Sequence, residues 1–181
     1  MSNGGRALSR GKPVINSMAE LLAHALALEI EAVDRYAELA EVMESHNNQE
    51  VADLFTKMSE IEKLHVDQIR TQIRTRKLNK LPDIHYQWIS AEGPETTDPA
   101  DLHYLMTPYL ALSLALLNEQ RACDFYKGIV TASTDEDTRV LAAELAEEEE
   151  EHVALIKVWL AKFPEADEDW DYDDDSPVIQ D

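Results

Sequence analysis

Six side chains able to bind metal stand where an amphipathic helical pattern calls for hydrophobes. Glu29 lies seven residues after Leu22 and seven before Tyr36, and Glu119 lies seven after Leu112 and seven before Tyr126. Glu62 and His65 follow Met58 by four and seven residues, and Glu149 and His152 follow Leu145 by the same intervals. The i, i+3 spacing puts each glutamate and its histidine on one face of a helix. A carboxylate buried alone is costly, and four brought together do not stay ionised without compensation. Two divalent cations set four positive charges against four carboxylates, and neutral imidazoles complete the coordination. The pattern therefore predicts a two-metal centre.

Each piece is weak when taken singly. Glu147 to Glu151 form an unbroken run, so a histidine at 152 meets a glutamate three residues earlier almost automatically. Glu147, Glu150 and Glu151 read as a solvated helix face, while Glu148 also borders the inner stripe. Glu149 is singled out because complementary residues occur on three other helices. The remaining histidines, His24, His46, His85 and His103, have no glutamate three positions before them and read as structural or surface residues.

A faint internal repeat strengthens the set. Glu29, Ala32, Asp34 and Tyr36 match Glu119, Ala122, Asp124 and Tyr126 position by position. The Glu-x-x-His pair then follows each lone glutamate after 33 and 30 residues. Two hairpins related by a pseudo-twofold axis build a nearly symmetric site. Tyr36 and Tyr126 are either hydrogen-bond donors to carboxylate ligands across the bundle or plain core aromatics. Asp34 and Asp124 lie off the centre of the stripe, where a role in orienting the histidines competes with simple exposure.

The elements that must position these groups are four helices. Ser17 with Glu20 is a capping box, and Leu22, Ala25, Leu26, Ala32, Val33, Tyr36, Leu39, Ala40 and Met43 recur at helical steps behind it. The polar run Ser45 to Asn48 ends that helix, and Asn48 caps the second. Its inner face carries Val51, Leu54, Phe55, Met58, Ile69 and Ile73, and it is expected to end near Leu78 to Leu81, before Pro82. Residues 79–106 form a long connection, with Asp98-Pro99 predicting a short helix over 100–105. Thr107-Pro108 opens the third helix, with Leu112, Ala115, Leu116, Ala122, Cys123, Tyr126, Ile129 and Val130 inward. Ser133 to Glu136 reads as another capping box. The fourth helix is expected to run to about Phe163, before Pro164, burying Leu141, Leu145, Leu155, Ile156 and Trp159. The expected fold is all-α: two antiparallel helix hairpins joined by one long crossover, the arrangement of ferritin-like bundles. Residues 1–16 are then an N-terminal extension, 17–163 the bundle and 164–181 an acidic tail.

Composition narrows the function. The net charge of −21 argues against nucleic-acid binding, which needs a cationic surface. The cluster Arg70, Arg74, Arg76, Lys77 and Lys80 fits a helix C-terminus, where cations suit the macrodipole. No apolar run approaches the ~18 residues of a membrane span. With a single cysteine, Cys123, there is neither a disulfide framework nor a cysteine-ligated metal centre, and the expected location is cytoplasmic. The acid-dense tail reads as a solvated segment, with a weak iron-collecting surface or a docking segment as alternatives.

On ALALEIEAVDRYAELA, MSEIEKLH, ALLNEQRACDFY and LAEEEEEH, the sequence resembles the rubrerythrin group of the ferritin-like superfamily over roughly residues 18–162. The resemblance implies two iron ions bridged by Glu62 and Glu149, with Glu29 and His65 completing one ion's ligands and Glu119 and His152 the other's. Manganese or zinc also suits this donor set. Rubrerythrins usually carry a four-cysteine rubredoxin domain, absent here, and a further glutamate one turn after the third-helix glutamate, where this sequence has Ala122. The remaining six ligands are closer to the ferroxidase centre of bacterioferritins. The implied function is an oxidoreductase reacting with dioxygen or hydrogen peroxide, ferroxidase first and peroxidase second, with an external electron donor for any reductive turnover. A non-catalytic metal-binding or iron-storage protein is the alternative, and a homodimer the implied assembly.

Overall fold

Side chains that satisfy free backbone amides set where each helix begins. The computed structural model describes residues 14–78, 80–82 and 105–166, and in them the chain forms α1 (Met18–Ser45), α2 (Gln49–Thr75), α3 (Pro108–Ala132) and α4 (Glu136–Leu160). Ser17 Oγ accepts from the Glu20 amide at 3.2 Å and Asn48 Oδ1 from that of Val51 at 3.4 Å. Thr107 Oγ1 accepts from Leu110 N at 3.3 Å, with Pro108 in the first turn. These three starts are where the sequence puts them. The fourth is not: the cap of α4 is Asp135, whose carboxylate accepts from Thr138 N at 2.9 Å, rather than Ser133. Ser133 is turned toward Asn16 Oδ1 at 3.3 Å, and an anion at the cap also suits the helix dipole.

The ends of α1 and α2 share one device. Asn47 (φ 61°) and Lys77 (φ 55°) are left-handed, and each lets the chain fold back on its helix. Asn48 N donates to Met43 O at 2.9 Å and Leu78 N to Ile73 O at 3.1 Å, the longer bond of a Schellman motif. Lys77 thereby stops α2 at Thr75, several residues short of the expected Leu78 to Leu81. Similarly, α4 ends at Leu160 and tightens into a turn through Phe163 N to Leu160 O, 3.1 Å, before Pro164 acts. Leu155, expected inside, is 42% exposed; Ile156 takes the buried position.

Helix α1 packs along α2 and α3 along α4, and the hairpins meet where α2 touches α3 and α1 touches α4. Two apolar clusters show the directions. One gathers Leu22, Ala25 and Leu28 with Ile69, Tyr126, Ile129, Leu141 and Leu145. The other gathers Tyr36, Leu39 and Met43 with Val51, Phe55, Leu112, Ala115 and Ile156. Thus the first half of α1 shares a layer with the last halves of α2 and α3 and the first half of α4, which makes the order up, down, down, up. Removing one of these fully buried leucines leaves a cavity and costs about 2–5 kcal/mol. Between the two clusters lies a layer in which the stripes are interrupted by charge. The short helix expected over 100–105 up to residue 104, His85, His103, the extension to residue 13 and the tail from 167 lie outside the described residues. No helix among the described residues is long and apolar enough to cross a membrane.

Candidate metal centre

All six predicted residues fall in the interrupted layer, because each sits near the middle of its helix on the buried stripe. Their side chains form two groups, Glu29 with Glu62 and His65, and Glu119 with Glu149 and His152, each with ligand atoms within 4.8 Å of one another. The four carboxylate side chains are at most 5% exposed, whereas His65 is 14% and His152 20% exposed. The histidines therefore form the solvent side of the centre.

Within each group an imidazole lies between two carboxylates. His65 Nδ1 is 2.8 Å from Glu62 Oε2 and 3.6 Å from Glu29 Oε2. His152 Nδ1 is 3.2 Å from Glu149 Oε2 and 3.3 Å from Glu119 Oε2. The two rings stack on each other with centroids 4.2 Å apart, joining the groups. Glu29 Oε2 and Glu62 Oε1 are buried with no hydrogen-bond partner. Buried carboxylate oxygens without donors are costly, and a cation satisfies them.

Electrostatics describes the same competition. Burial pushes both imidazoles toward the neutral form, but the carboxylates outweigh it. His65 is raised to about 10 by Glu29 and Glu62, and His152 to about 11 by Glu119 and Glu149. Burial also raises Glu119 to about 8, opposed by His152 and reinforced by the charges of Glu62 and Glu149. Glu29 is raised well above the ordinary carboxylate range, again chiefly by burial and against the pull of His65. The same oxygens and imidazole nitrogens make a donor set that fits two divalent cations.

The flanking expectations divide. Glu147, Glu150 and Glu151 are exposed, and Glu150 pairs with Lys127 at 2.6 Å. Asp34 and Asp124 are exposed as well, so the role of orienting the histidines falls away. His24 is buried with Nδ1 2.9 Å from Glu20 O, a structural histidine, and His46 is the C-cap of α1. Tyr36 and Tyr126 are fully buried. The Tyr36 hydroxyl accepts from Asn118 Nδ2 at 3.5 Å.

Asn118 and Ser59 were missed by the sequence reading. Asn118 stands seven after Ala111 and seven before Phe125, on the buried flank of α3, and Ser59 seven after Ala52 and seven before Val66. The heptad test that isolates the glutamates isolates these too. Asn118 adjoins Glu119, so its contact with Tyr36 brings that phenol to the level of the centre. Ser59 donates to Val33 O at 3.0 Å and ties α2 to α1 beside the site.

Comparison with known proteins agrees with the geometry. The rubrerythrin family model matches residues 20–100, the span that holds Glu29, Glu62 and His65. The crystal structure of an uncharacterized conserved protein from Magnetospirillum magnetotacticum MS-1 is 42% identical, with a TM-score of 0.64, over 83% of this chain and 98% of that one. No curated protein matches. With four helices in ferritin-like order and paired Glu/His groups between them, this chain carries at residues 20–100 a domain of the rubrerythrin family, within the ferritin-like di-iron superfamily.

Proposed function

We propose that the chain is a non-haem di-iron oxidoreductase that reacts with dioxygen or hydrogen peroxide, with ferroxidase chemistry ahead of peroxide reduction. The observation that carries this reading is the pair of buried Glu/Glu/His groups joined through stacked histidines. Glu29 and His65 would hold one ion and Glu119 and His152 the other, with the carboxylates of Glu62 and Glu149 completing the donor set. A bound iron(II) pair supplies two electrons, one from each ion, for reduction of dioxygen to peroxide or of peroxide to water. The buried carboxylates would orient the ions, and His65, His152 and Glu119, each raised in the metal-free protein, would release protons on binding. Tyr36, positioned by Asn118, stands at the level of the centre, and Tyr126 occupies the matching place in the other hairpin. Reductive turnover would draw on an external electron donor. We further propose a cytoplasmic homodimer.

The test is anaerobic loading with two equivalents of iron(II) per chain, followed by rapid mixing with dioxygen or with peroxide. Growth of ferric absorbance, faster with one oxidant than the other, ranks the two activities. Absence of any change with either oxidant overturns redox catalysis, and continued uptake far beyond two ions per chain points to storage.

A further inference from the structure

Two side-chain contacts set α2 and α4 along one seam. His65 stacks on His152, and Lys57, eight residues earlier on α2, lies over the ring of Trp159, seven residues later on α4. The helices therefore run antiparallel here, and whatever lies between these contacts on either helix is brought to one level. On α2 that is Ile61 and Leu64, and on α4 it is Leu155. Val158 stands one turn beyond Leu155 on the same side. Ile61 is half-buried, while Leu64 is 62% and Val158 60% exposed, and Leu155 is exposed as well. Single apolar residues on a surface are ordinary, but a group over one seam marks a face that something covers.

The seam is also graded in charge. Lys57 and Lys162 are exposed at the end where α4 finishes, and Glu144 and Glu148 follow His152 toward the other end. Directly after α4 comes Glu165-Ala-Asp-Glu-Asp-Trp170-Asp-Tyr172-Asp-Asp-Asp175, in which two aromatics alternate with acids. In an extended chain residues two apart share a side, so Trp170 and Tyr172 face one way and Asp169, Asp171 and Asp173 the other. One strand thus offers apolar rings to the leucines and carboxylates to the lysines at the α4 end. The reach is ample. Leu155 lies about 7.5 Å below the end of α4 at 1.5 Å per residue, and the ten residues from Leu160 to Trp170 span up to about 33 Å. A tethered segment also competes at a local concentration on the order of millimolar, which a free partner rarely matches.

We propose that the acidic segment after Ala166 docks in cis on the α2–α4 seam, laying Trp170 and Tyr172 on Ile61, Leu64 and Leu155. It thereby covers the side on which His65 and His152 meet solvent. The docking needs no metal and stands apart from the di-iron reading.

The experiment uses the full chain and the rate at which a surface thiol reacts with Ellman's reagent. Leu64→Cys and Leu155→Cys place reporters under the proposed cover, and Val140→Cys places one at the far, exposed end of α4. All three sites are exposed, so the fold survives, and the native Cys123 is buried and supplies the slow background. Adding Trp170→Ala/Tyr172→Ala is expected to speed labelling of both seam reporters by about tenfold, and to leave Val140→Cys within about twofold. The protection is expected to be independent of protein concentration. Equal rates at the seam with and without the aromatic pair overturn the docking, whether the seam is open or held by another segment. Protection that grows with concentration alongside a dimer in light scattering assigns the face to a second copy and overturns it too. Release of Val140→Cys by the same pair means that the aromatics act on the whole fold, and the seam is then not their site.

Discussion

The two hairpins carry the same ligands but surround them differently. In the first, His65 sits close to Glu62 at 2.8 Å and farther from Glu29 at 3.6 Å; in the second, His152 is shared almost evenly, 3.2 Å from Glu149 and 3.3 Å from Glu119. Where α1 has Leu28 before its glutamate, α3 has Asn118, and where α2 has Ile61, α4 has Glu148. The likeness of the two groups follows from charge neutralisation, which demands the same donors on both sides. The flanks are free of that demand. They are where one half acquires a hydrogen bond to a buried tyrosine and the other an apolar contact surface. The centre is symmetric in its donors and asymmetric in its flanks.

The largest effect expected is on metal content, and it asks whether the halves are separate or shared. A Glu62→Ala/Glu149→Ala variant should retain almost no metal by elemental analysis, against two ions per chain in the parent. The single variant Glu62→Ala is the sharper probe. If Glu62 and Glu149 bridge, its loss weakens both ions by at least about tenfold. Retention of one tightly held ion by Glu62→Ala means that each hairpin owns its metal, and the bridging arrangement is wrong.

Proton linkage should give the next largest effect, with opposite signs for empty and filled protein. The folded state raises His65 to about 10 and His152 to about 11, so their stabilisation is complete below their unfolded value near 6.5 and is lost as pH rises through 10 to 11. Glu119, raised to about 8, holds its proton more firmly folded than unfolded, so stability is also lost between about 4.5 and 8. Both trends run the same way because the native state binds more protons. Melts of the metal-free protein should therefore show Tm falling by on the order of 5 °C from pH 6 to pH 9. The increment from a redox-inert divalent ion should grow over that range, since metal then displaces fewer protons. Glu29→Gln/Glu119→Gln should flatten the metal-free profile and weaken binding together. A metal increment equal at both pH values contradicts a shared buried site.

How much of this was legible in the sequence follows from what each feature depends on. The two buried Glu/His groups were readable because burial of charge violates a pattern, and the violation repeats on four helices at matching intervals. Asn118 and Ser59 violate the same pattern more mildly and were passed over, since a buried amide or hydroxyl needs only one partner where a carboxylate needs a cation. Helix starts followed local capping chemistry and were mostly right. Helix ends depend on which residue accepts a left-handed backbone, and at Lys77 no glycine or asparagine marks the place. Of Leu155 and Ile156, both expected inside, only Ile156 faces the core, because adjacent residues on a helix point about 100° apart and one stripe does not bury both.

The smallest effect separates the two short turns, one in each hairpin, and is read as stability alone. The α1–α2 turn is closed by Asn48, which caps α2 and also donates from Nδ2 to Met106 O at 2.7 Å, tying the turn to the chain that leads into α3. The α3–α4 turn is held from outside itself, by Asn16 Oδ1 accepting from Thr134 N at 2.8 Å. Asn48→Ala removes a helix cap and a long-range bond together and should cost about 1–2 kcal/mol. Asn16 is exposed, so water replaces much of what Asn16→Ala removes, and the loss should be about 1 kcal/mol or less. For a chain of this size that is roughly 2–4 °C in Tm for each kcal/mol. Metal content should be unchanged in both, because neither turn touches the ligand layer. A larger loss from Asn16→Ala than from Asn48→Ala would show that the second hairpin relies on the segment before α1 more than its own cap at Asp135, and the two hairpins would then differ in how they are held as well as in how they are flanked.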